Sequence, residues 1–451
     1  MRLSPRGLLA LLLTAPLLHA QTAPAPAGST AAAPAAASSA GAPVDHVSLD
    51  DIRNFSRVYE VVRQAYVEPV DNKTLMGDAI SGMLSELDPH SEYLDKEGLT
   101  QLNEDTTGQY SGLGIEVLQD DGALRIVAPI DDTPASRAGI KPGDVIVKID
   151  GKAVTSDNVD AMFKQLRGEP GSKITLTVLH EKSDKPLDYT LVREKISVTS
   201  VRVRPLESGY VYLRISQFQE DTAGDLEKKF ADYVKQHGAP KGAVLDLRSN
   251  PGGLLTAAVA VSDDFLDAGS IVSTRGRLQD ANMRFEAHPG DLLGGAPIVL
   301  LVDNGTASAA EIVSGALKDN RRALVMGRRT FGKGVVQTVL PLDADHAVKI
   351  TTARYYTPNG TSIQAEGIKP DIALADLTVS KADSNASLID SEADLRHHLA
   401  NENAAAGKDA DNDGSAENEK LATRDYALSQ ALNVLKGLAL AHNAAPGAAR
   451  R

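Results

Sequence analysis

A serine and a lysine about 25 residues apart carry the strongest chemical signal in this 451-residue chain. The serine is Ser308, in Asn304-Gly305-Thr306-Ala307-Ser308-Ala309-Ala310-Glu311-Ile312. The lysine is Lys333, in Thr330-Phe331-Gly332-Lys333-Gly334-Val335-Val336-Gln337. A serine hydroxyl is a poor nucleophile until a neighbouring base takes its proton. A lysine is that base only when its amine is neutral, which requires desolvation. Gly332 and Gly334 place no side chain beside Lys333, so surrounding backbone can close around it. The pair predicts Ser/Lys hydrolase chemistry.

Ser308 follows the apolar run Ile298-Val299-Leu300-Leu301-Val302, read as a buried strand, and opens a helix expected to reach Lys318. Asn304-Gly305 supplies a sharp turn between them. The hydroxyl is then exposed at the sheet edge, where free N–H groups and the positive end of the helix face any oxyanion. A plain helix cap by Ser308 or Thr306 fits this segment equally well. After Lys333, Val335 to Leu340 reads as a strand. If extended geometry begins at Lys333, then Lys333, Val335 and Gln337 share a face. The Gln337 amide oxygen can accept from an amine in either protonation state, and so can orient it. A solvated surface lysine is the alternative.

A third segment, Asp246-Leu247-Arg248-Ser249-Asn250-Pro251-Gly252-Gly253, follows the buried strand Ala243 to Leu247 and precedes a helix. Its two glycines allow main-chain N–H groups to approach a bound carbonyl. An ordinary strand-to-helix turn is the competing reading. Walker spacing is absent, which excludes a nucleotide loop. None of the ten histidines sits in a triad motif, no His-Glu-x-x-His occurs, and no Gly-x-Ser-x-Gly elbow surrounds Ser308.

Upstream, Tyr110-Ser111-Gly112-Leu113-Gly114-Ile115 places glycines just before a strand. Successive N–H groups in such a loop can converge on an anion, and the strand edge after it can pair with an extended peptide. That combination captures a C-terminal carboxylate. A Gly-rich hairpin with Leu113 and Ile115 in the core is the alternative.

These segments sit in regions of different texture. Arg2 and Arg6 precede the apolar run Leu8 to Leu18, which ends at His19-Ala20, the pattern of a secretory signal peptide over 1–20. An uncleaved anchor is the other reading. Residues 21–45 are Ala/Pro-rich and read as a tether. Helical spacing from Ser48 to Tyr66 and from Thr74 to Leu87 defines an N-terminal helical unit over 46–107. Short strands and glycine turns mark 108–195, including a hairpin at Asp121-Gly122. Strands and helices alternate over 196–372, an α/β sheet with helices packed on it. The 373–451 tail is polar. Its Asn401 to Glu419 segment reads as unstructured, and Tyr426, Leu428, Leu432, Leu435 and Leu438 suggest a terminal helix.

The chain has no cysteine and a formal charge of -13, which excludes thiol chemistry and argues against nucleic acid or anionic lipid as a partner. No second long apolar run predicts a membrane span in the mature chain. Apolar faces on the N-terminal helices and the last helix could pack on the core or mediate a homo-oligomer.

In their order, the Leu87-Asp88-Pro89-His90-Ser91 turn, the Gly112-Leu113-Gly114 loop, Ala138-Gly139-Ile140-Lys141-Pro142-Gly143-Asp144, the Asp246 to Gly253 run, Ser308 and Lys333 resemble the C-terminal processing peptidases, or tail-specific proteases. The resemblance spans nearly all of Ser48 to Asp371. It implies a PDZ domain inserted before an α/β serine-protease core. It implies Ser308 as nucleophile, Lys333 as general base and Gln337 as the residue orienting the lysine. It also implies an oxyanion hole from the N–H of Ala309 and of Gly253 or Gly252, a choice left open. The substrate would be protein or peptide with an accessible C-terminus, held at Gly112, Leu113, Gly114 and Ile115, with no cofactor or metal and with export to the periplasm. Arg167, at the end of the PDZ helix beside the expected groove, is a candidate link between peptide occupancy and the lysine; a surface arginine is its alternative. Two rival functions are a noncatalytic PDZ scaffold presenting peptides to another protease, and a Ser/Lys amidase or esterase acting on small molecules.

Overall fold

The computed structural model describes residues 46–120, 122–180, 185–207, 209–377, 379 and 415–444. The expected signal peptide, the tether and most of the 401–419 segment lie outside the described residues. The chain divides into two units, Met1–Asp71 and Asn72–Arg451. In the first, α1 (Leu49–Ala65) begins at a capping box. Ser48 Oγ accepts the Asp51 N–H at 3.1 Å, and Asp51 Oδ2 accepts the Ser48 N–H at 3.2 Å. The apolar stripe that includes Ile52, Phe55 and Val58 is exposed, and α1 buries no residue.

In the second unit, α2 (Asn72–Ser85) leads through the Asp88 to Ser91 turn into β1 (Glu92–Leu94) and α3 (Lys96–Thr107). The sequence reading has no counterpart of α3, whose residues include Gly98 and none of which is buried. Its ends are fixed locally. Asp95 accepts the Gly98 N–H at 2.9 Å, and Gly108 closes the helix in the left-handed region at φ 67°.

The glycine-rich stretch forms a small sheet domain. Its elements are β2 (Gln109–Gly112), β3 (Ile115–Asp120), β4 (Ala123–Pro129), α4 (Pro134–Arg137), β5 (Val145–Ile149), β6 (Lys152–Ala153), α5 (Val159–Gln165), β7 (Lys173–Leu179), β8 (Leu187–Val192) and β9 (Glu194–Ser197). The order β3-β4-β5-β7-β8 leaves β3 on an edge, while β2 pairs β9 separately. Burial alternates along β7, so Ile174, Leu176 and Val178 meet Leu124, Ile126 and Ile146, with Met162 and Leu166 covering them.

The remaining chain builds two sheets. Its elements are β10 (Val201–Pro205), β11 (Tyr210–Ile215), α6 (Thr222–His237), β12 (Gly242–Asp246), α7 (Leu255–Asp263), β13 (Ser270–Gly276), β14 (Arg284–Glu286), β15 (Ile298–Val302), α8 (Ala309–Asp319), β16 (Ala323–Gly327), β17 (Val335–Pro341), β18 (Ala347–Tyr356), β19 (Ile372–Ala373), α9 (Ser415–Arg424) and α10 (Tyr426–Ala444). One sheet runs β10-β11-β12-β15-β16-β19 and is parallel from β11 onward. The other is antiparallel, β1-β18-β13-β14 with β17 on β18.

Continuous apolar strands need cover on both faces. Leu245, Leu300, Val302 and Val325 face α6, α7 and α8. Their alternates Val244, Val299, Leu301 and Met326 pack against Leu428, Ala431, Leu432 and Leu435 of α10. The terminal helix is therefore the third layer on the parallel sheet. The stretch read as unstructured to Glu419 turns helical at Ser415, where α9 brings Leu421 onto the same cluster.

Candidate active site

The parallel sheet and the antiparallel sheet meet in a cleft of about 580 Å³ lined by Ser308, Lys333, Gln337, Ala309, Gly253 and Tyr355. Ser308 is the residue between β15 and α8, with φ 54° and ψ -117°. An L-residue occupies that region only at a cost of roughly 1–3 kcal/mol, and only where its surroundings hold it. Those surroundings are visible. Thr306 Oγ1 donates to the Leu247 carbonyl at 2.8 Å, and the Ala307 N–H donates to the Asn250 carbonyl at 2.9 Å. The serine thus sits on a strained strand-to-helix turn without the glycine pattern that usually signals one.

Glu311, fully buried in the first turn of α8, ties this turn to the lysine segment. Its Oε2 accepts the N–H of Ser308 and of Lys333, each at 2.9 Å. Its Oε1 accepts the Gly332 N–H at 2.8 Å and the Thr330 hydroxyl at 2.5 Å. Burial pushes this carboxyl above the usual range, and the four donors oppose that push. The sequence reading quoted Glu311 without giving it a role; at that position it reads as an ordinary helix-start acid.

Backbone also closes around Lys333, as its flanking glycines predict. A Cβ on Gly334 would lie 2.7 Å from the Gln364 nitrogen, and one on Gly332 would lie 3.0 Å from the Gly367 nitrogen. Burial holds the Lys333 amine below the ordinary lysine range, and the Lys349 cation adds to this; Asp88 and Glu92 pull the other way. Tyr355, unnamed in the sequence reading, donates its hydroxyl to the Lys333 carbonyl, and burial holds its phenol well above the usual range. The nearby Glu311 carboxylate adds to that rise, and the Ser308 side chain opposes it.

Extended geometry begins at Val335 rather than at Lys333, and a bulge interrupts the β17–β18 register at Val336/Gln337. Gln337 therefore faces Thr351, to which its amide nitrogen donates at 3.2 Å. Thr351 in turn donates to Asp88 Oδ1 at 3.1 Å, which the Ser91 N–H also reaches at 3.1 Å. Among the described residues no hydrogen bond joins the Lys333 amine to Ser308 Oγ or to Gln337.

The two glycines differ. The Gly252 N–H donates to Asn250 Oδ1 at 2.9 Å, whereas the N–H groups of Gly253 and Ala309 have no acceptor among the described residues. Gly253 lies at φ 136°, where a Cβ would stand 2.1 Å from the Phe218 carbonyl oxygen. Phe218 grips the loop from that side: its N–H donates to Gly252 and its carbonyl accepts from Leu254, both at 2.8 Å. A Cβ on Gly252 would be 2.8 Å from Ser308 Cβ, so the loop rests on the serine turn.

In the small sheet domain, Gly112 ends β2, Leu113 is buried and Ile115 opens the edge strand β3. The Leu113 and Gly114 N–H groups have no acceptor among the described residues. Gly114 has φ 72°, and its carbonyl accepts from the Ile130 N–H at 2.8 Å and the Thr133 hydroxyl at 3.1 Å. Arg167 reaches α3 by Gln101 at 2.8 Å and Glu104 at 2.6 Å, and lies over the Tyr110 ring.

Comparison with known proteins gives these regions names. Residues 209–374 match the model for peptidase family S41, 111–191 match the PDZ domain, and 19–98 match the N-terminal domain of the activating protease CtpB. A "Carboxy-terminal-processing protease" of Bartonella bacilliformis is 48% identical over 325 residues, covering 72% of this chain and 75% of that relative. Among solved structures, a photosystem II D1 C-terminal processing protease is 31% identical with a TM-score of 0.43, covering 73% of this chain and 94% of that one. The PDZ domain of a carboxy-terminal protease from Vibrio cholerae is 28% identical with a TM-score of 0.19, covering 20% of this chain and 99% of that one. With an N-terminal domain, a PDZ domain and a mixed α/β peptidase domain in that order, the chain belongs to peptidase family S41, among the C-terminal processing proteases, and is a serine-type peptidase.

Proposed function

We propose that this peptidase is an exported endopeptidase that recognises substrate C-termini through its PDZ domain and cleaves with a Ser308/Lys333 dyad. The observation that carries this reading is the shared cleft lined by a strained, half-buried serine and a half-buried lysine, with both backbones held by Glu311. Neutral Lys333 takes the Ser308 proton as Oγ bonds to the peptide carbonyl carbon. The N–H groups of Ala309 and Gly253 hold the oxyanion; Gly253 is preferred to Gly252, whose N–H is committed to Asn250. Collapse breaks the C–N bond, and the Lys333 ammonium gives its proton to the departing amine. Water, deprotonated by Lys333, then hydrolyses the acyl-enzyme. Gln337, with its nitrogen on Thr351, keeps Oε1 for the amine. The Lys333 amine reaches the Ser308 hydroxyl by a side-chain movement, since no hydrogen bond joins the two groups among the described residues.

Free N–H groups at Leu113 and Gly114 beside an open β3 edge suit a terminal carboxylate with its peptide added as a strand. Arg167 joins that domain to α3 and is the candidate coupling residue. The domain limits proposed are 46–107, 108–195 and 196–372, with the 373–451 segment returning α10 to the sheet of the last domain. The 1–20 segment carries the proposal of export to the periplasm, and no helix among the described residues is long and apolar enough to cross a membrane. The exposed stripe of α1 makes a homo-oligomer the proposed assembly. The test is incubation with an unfolded protein bearing an accessible apolar C-terminus, and with the same protein blocked there, followed by mass spectrometry. Wild type should cut the first preferentially and Ser308→Ala neither. Cleavage by Ser308→Ala at the wild-type rate overturns the dyad, and equal cleavage of both substrates overturns end recognition.

A further inference from the structure

The cleft contains a second lysine that the proposed chemistry does not use. Lys349 lies on β18, opposite Val339 of β17 on one side and Glu92 of β1 on the other. Its amine pairs with the Glu92 carboxylate, and its side chain lines the cleft with Lys333 and Gln337. Along β18 it is two residues from Thr351, so both project from the same face of the sheet, the face that meets Gln337. A cation held in the cleft wall by its neighbour strand, yet with no reaction step of its own, invites an electrostatic reading.

We propose that Lys349 and Glu92 are positioning residues that set the charge state of the Lys333 amine. The Lys349 cation disfavours a second cation beside it and so favours the neutral Lys333 that can accept the serine proton. Glu92 holds Lys349 in the wall and moderates its field. The inference rests on Lys333 being the base. The groups that act on Lys333 come from several elements. Lys349 and burial disfavour its charged form, while Asp88 in the turn before β1 and Glu92 on β1 favour it. His90 in the same turn is itself held below the usual histidine range, by burial first and then by Lys333. Glu311 bonds the Lys333 main chain, and Tyr355 its carbonyl.

The two partners act with opposite signs, and this makes the idea testable. Removing the cation in Lys349→Met should leave Lys333 protonated to higher pH, moving the acid limb of the kcat/KM profile upward, with a several-fold loss at its acid end. Removing the carboxylate in Glu92→Gln should move the limb downward. Lys349→Arg, which keeps the charge, should restore the wild-type midpoint and guards against a folding artefact. The midpoint, rather than the plateau rate, is the reading. A direct check follows the Lys333 side chain by NMR in 13C-lysine protein carrying Ser308→Ala, assigned with Lys333→Arg. Unmoved midpoints, or midpoints moving the same way in both variants, overturn the proposal while a dead Lys333→Met leaves the dyad standing. If Lys333→Met keeps wild-type activity, the dyad fails and this inference with it.

Discussion

Ser308 and Lys333 donate their backbone N–H groups to one atom, Oε2 of Glu311, each at 2.9 Å. The carboxylate is fully buried, and it joins the two segments through their main chains. Glu311→Gln replaces one acceptor oxygen with an NH2 that faces donors, so up to two of the four bonds are lost and at least one N–H, that of Gly332 or those of Ser308 and Lys333, is left unpaired. Each such group costs roughly 1–3 kcal/mol. The expected stability loss is about 3 kcal/mol, read by denaturant unfolding. Misplacing the amine by about 1 Å lowers kcat roughly 100-fold. A variant with wild-type kcat and a wild-type midpoint would remove Glu311 from its bridging role.

Lys333 makes a pH prediction whose sign follows from its depressed folded-state pKa. A group lowered on folding gives its full contribution to stability above its unfolded pKa, about 10.4 for lysine, and loses it as pH falls through the folded value. At neutral pH the half-buried amine therefore costs stability, chiefly through burial. Lys333→Met should raise Tm at pH 7 while abolishing cleavage. The gain should shrink as pH rises toward about 10. Thermal melts across that range check it, and a Lys333→Met protein less stable than wild type at pH 7 would contradict the desolvation account.

What the sequence made legible followed from pattern. Ile298 to Val302 and Ala243 to Leu247 read as buried strands because unbroken apolar runs have few other fates, and both are buried strands of the parallel sheet. Lys333 stood out because a lysine between glycines is locally unusual, whereas Ser308 alone read equally well as a helix cap and gained weight only beside Lys333. The left-handed φ of Ser308 was not legible, since the clamps at Leu247, Asn250 and Glu311 come from distant segments or read as ordinary capping. The strand face predicted for Lys333 and Gln337 did not form as drawn, because the strand begins only at Val335; the bulge beside Gln337 carries its extra residue, Thr352, on β18. Tyr355 reached the site through the β17–β18 pairing, a long-range contact that no local spacing encodes. The proposed preference for Gly253 over Gly252 needed the Asn250 side chain, whose partner is visible only in three dimensions.

The terminal helix gives the last prediction. The leucine spacing announced a helix but not its partner, which is the far face of the parallel sheet. Leu435, fully buried against that face, should cost about 2–5 kcal/mol as Leu435→Ala, with kcat unchanged. Asp425 at the start of α10 does more. It accepts the Leu428 N–H at 3.0 Å and two bonds from Arg248, at 2.9 and 2.7 Å. Arg248 is also held by buried Asp246 at 2.6 Å, and its segment runs on to Gly253. Asp425→Ala leaves the Asp246 contact in place, and should cost about 1–2 kcal/mol through the lost cap with a modest fall in kcat. Arg248→Ala removes both contacts and should cost more in stability and in kcat, with KM less affected, because the N–H proposed to meet the oxyanion lies on the same loop. Denaturant unfolding together with steady-state kinetics on one peptide separates these. If Leu435→Ala lowers kcat as much as Arg248→Ala, the helix acts through general stability alone and the link from Asp425 to the Gly253 loop is lost.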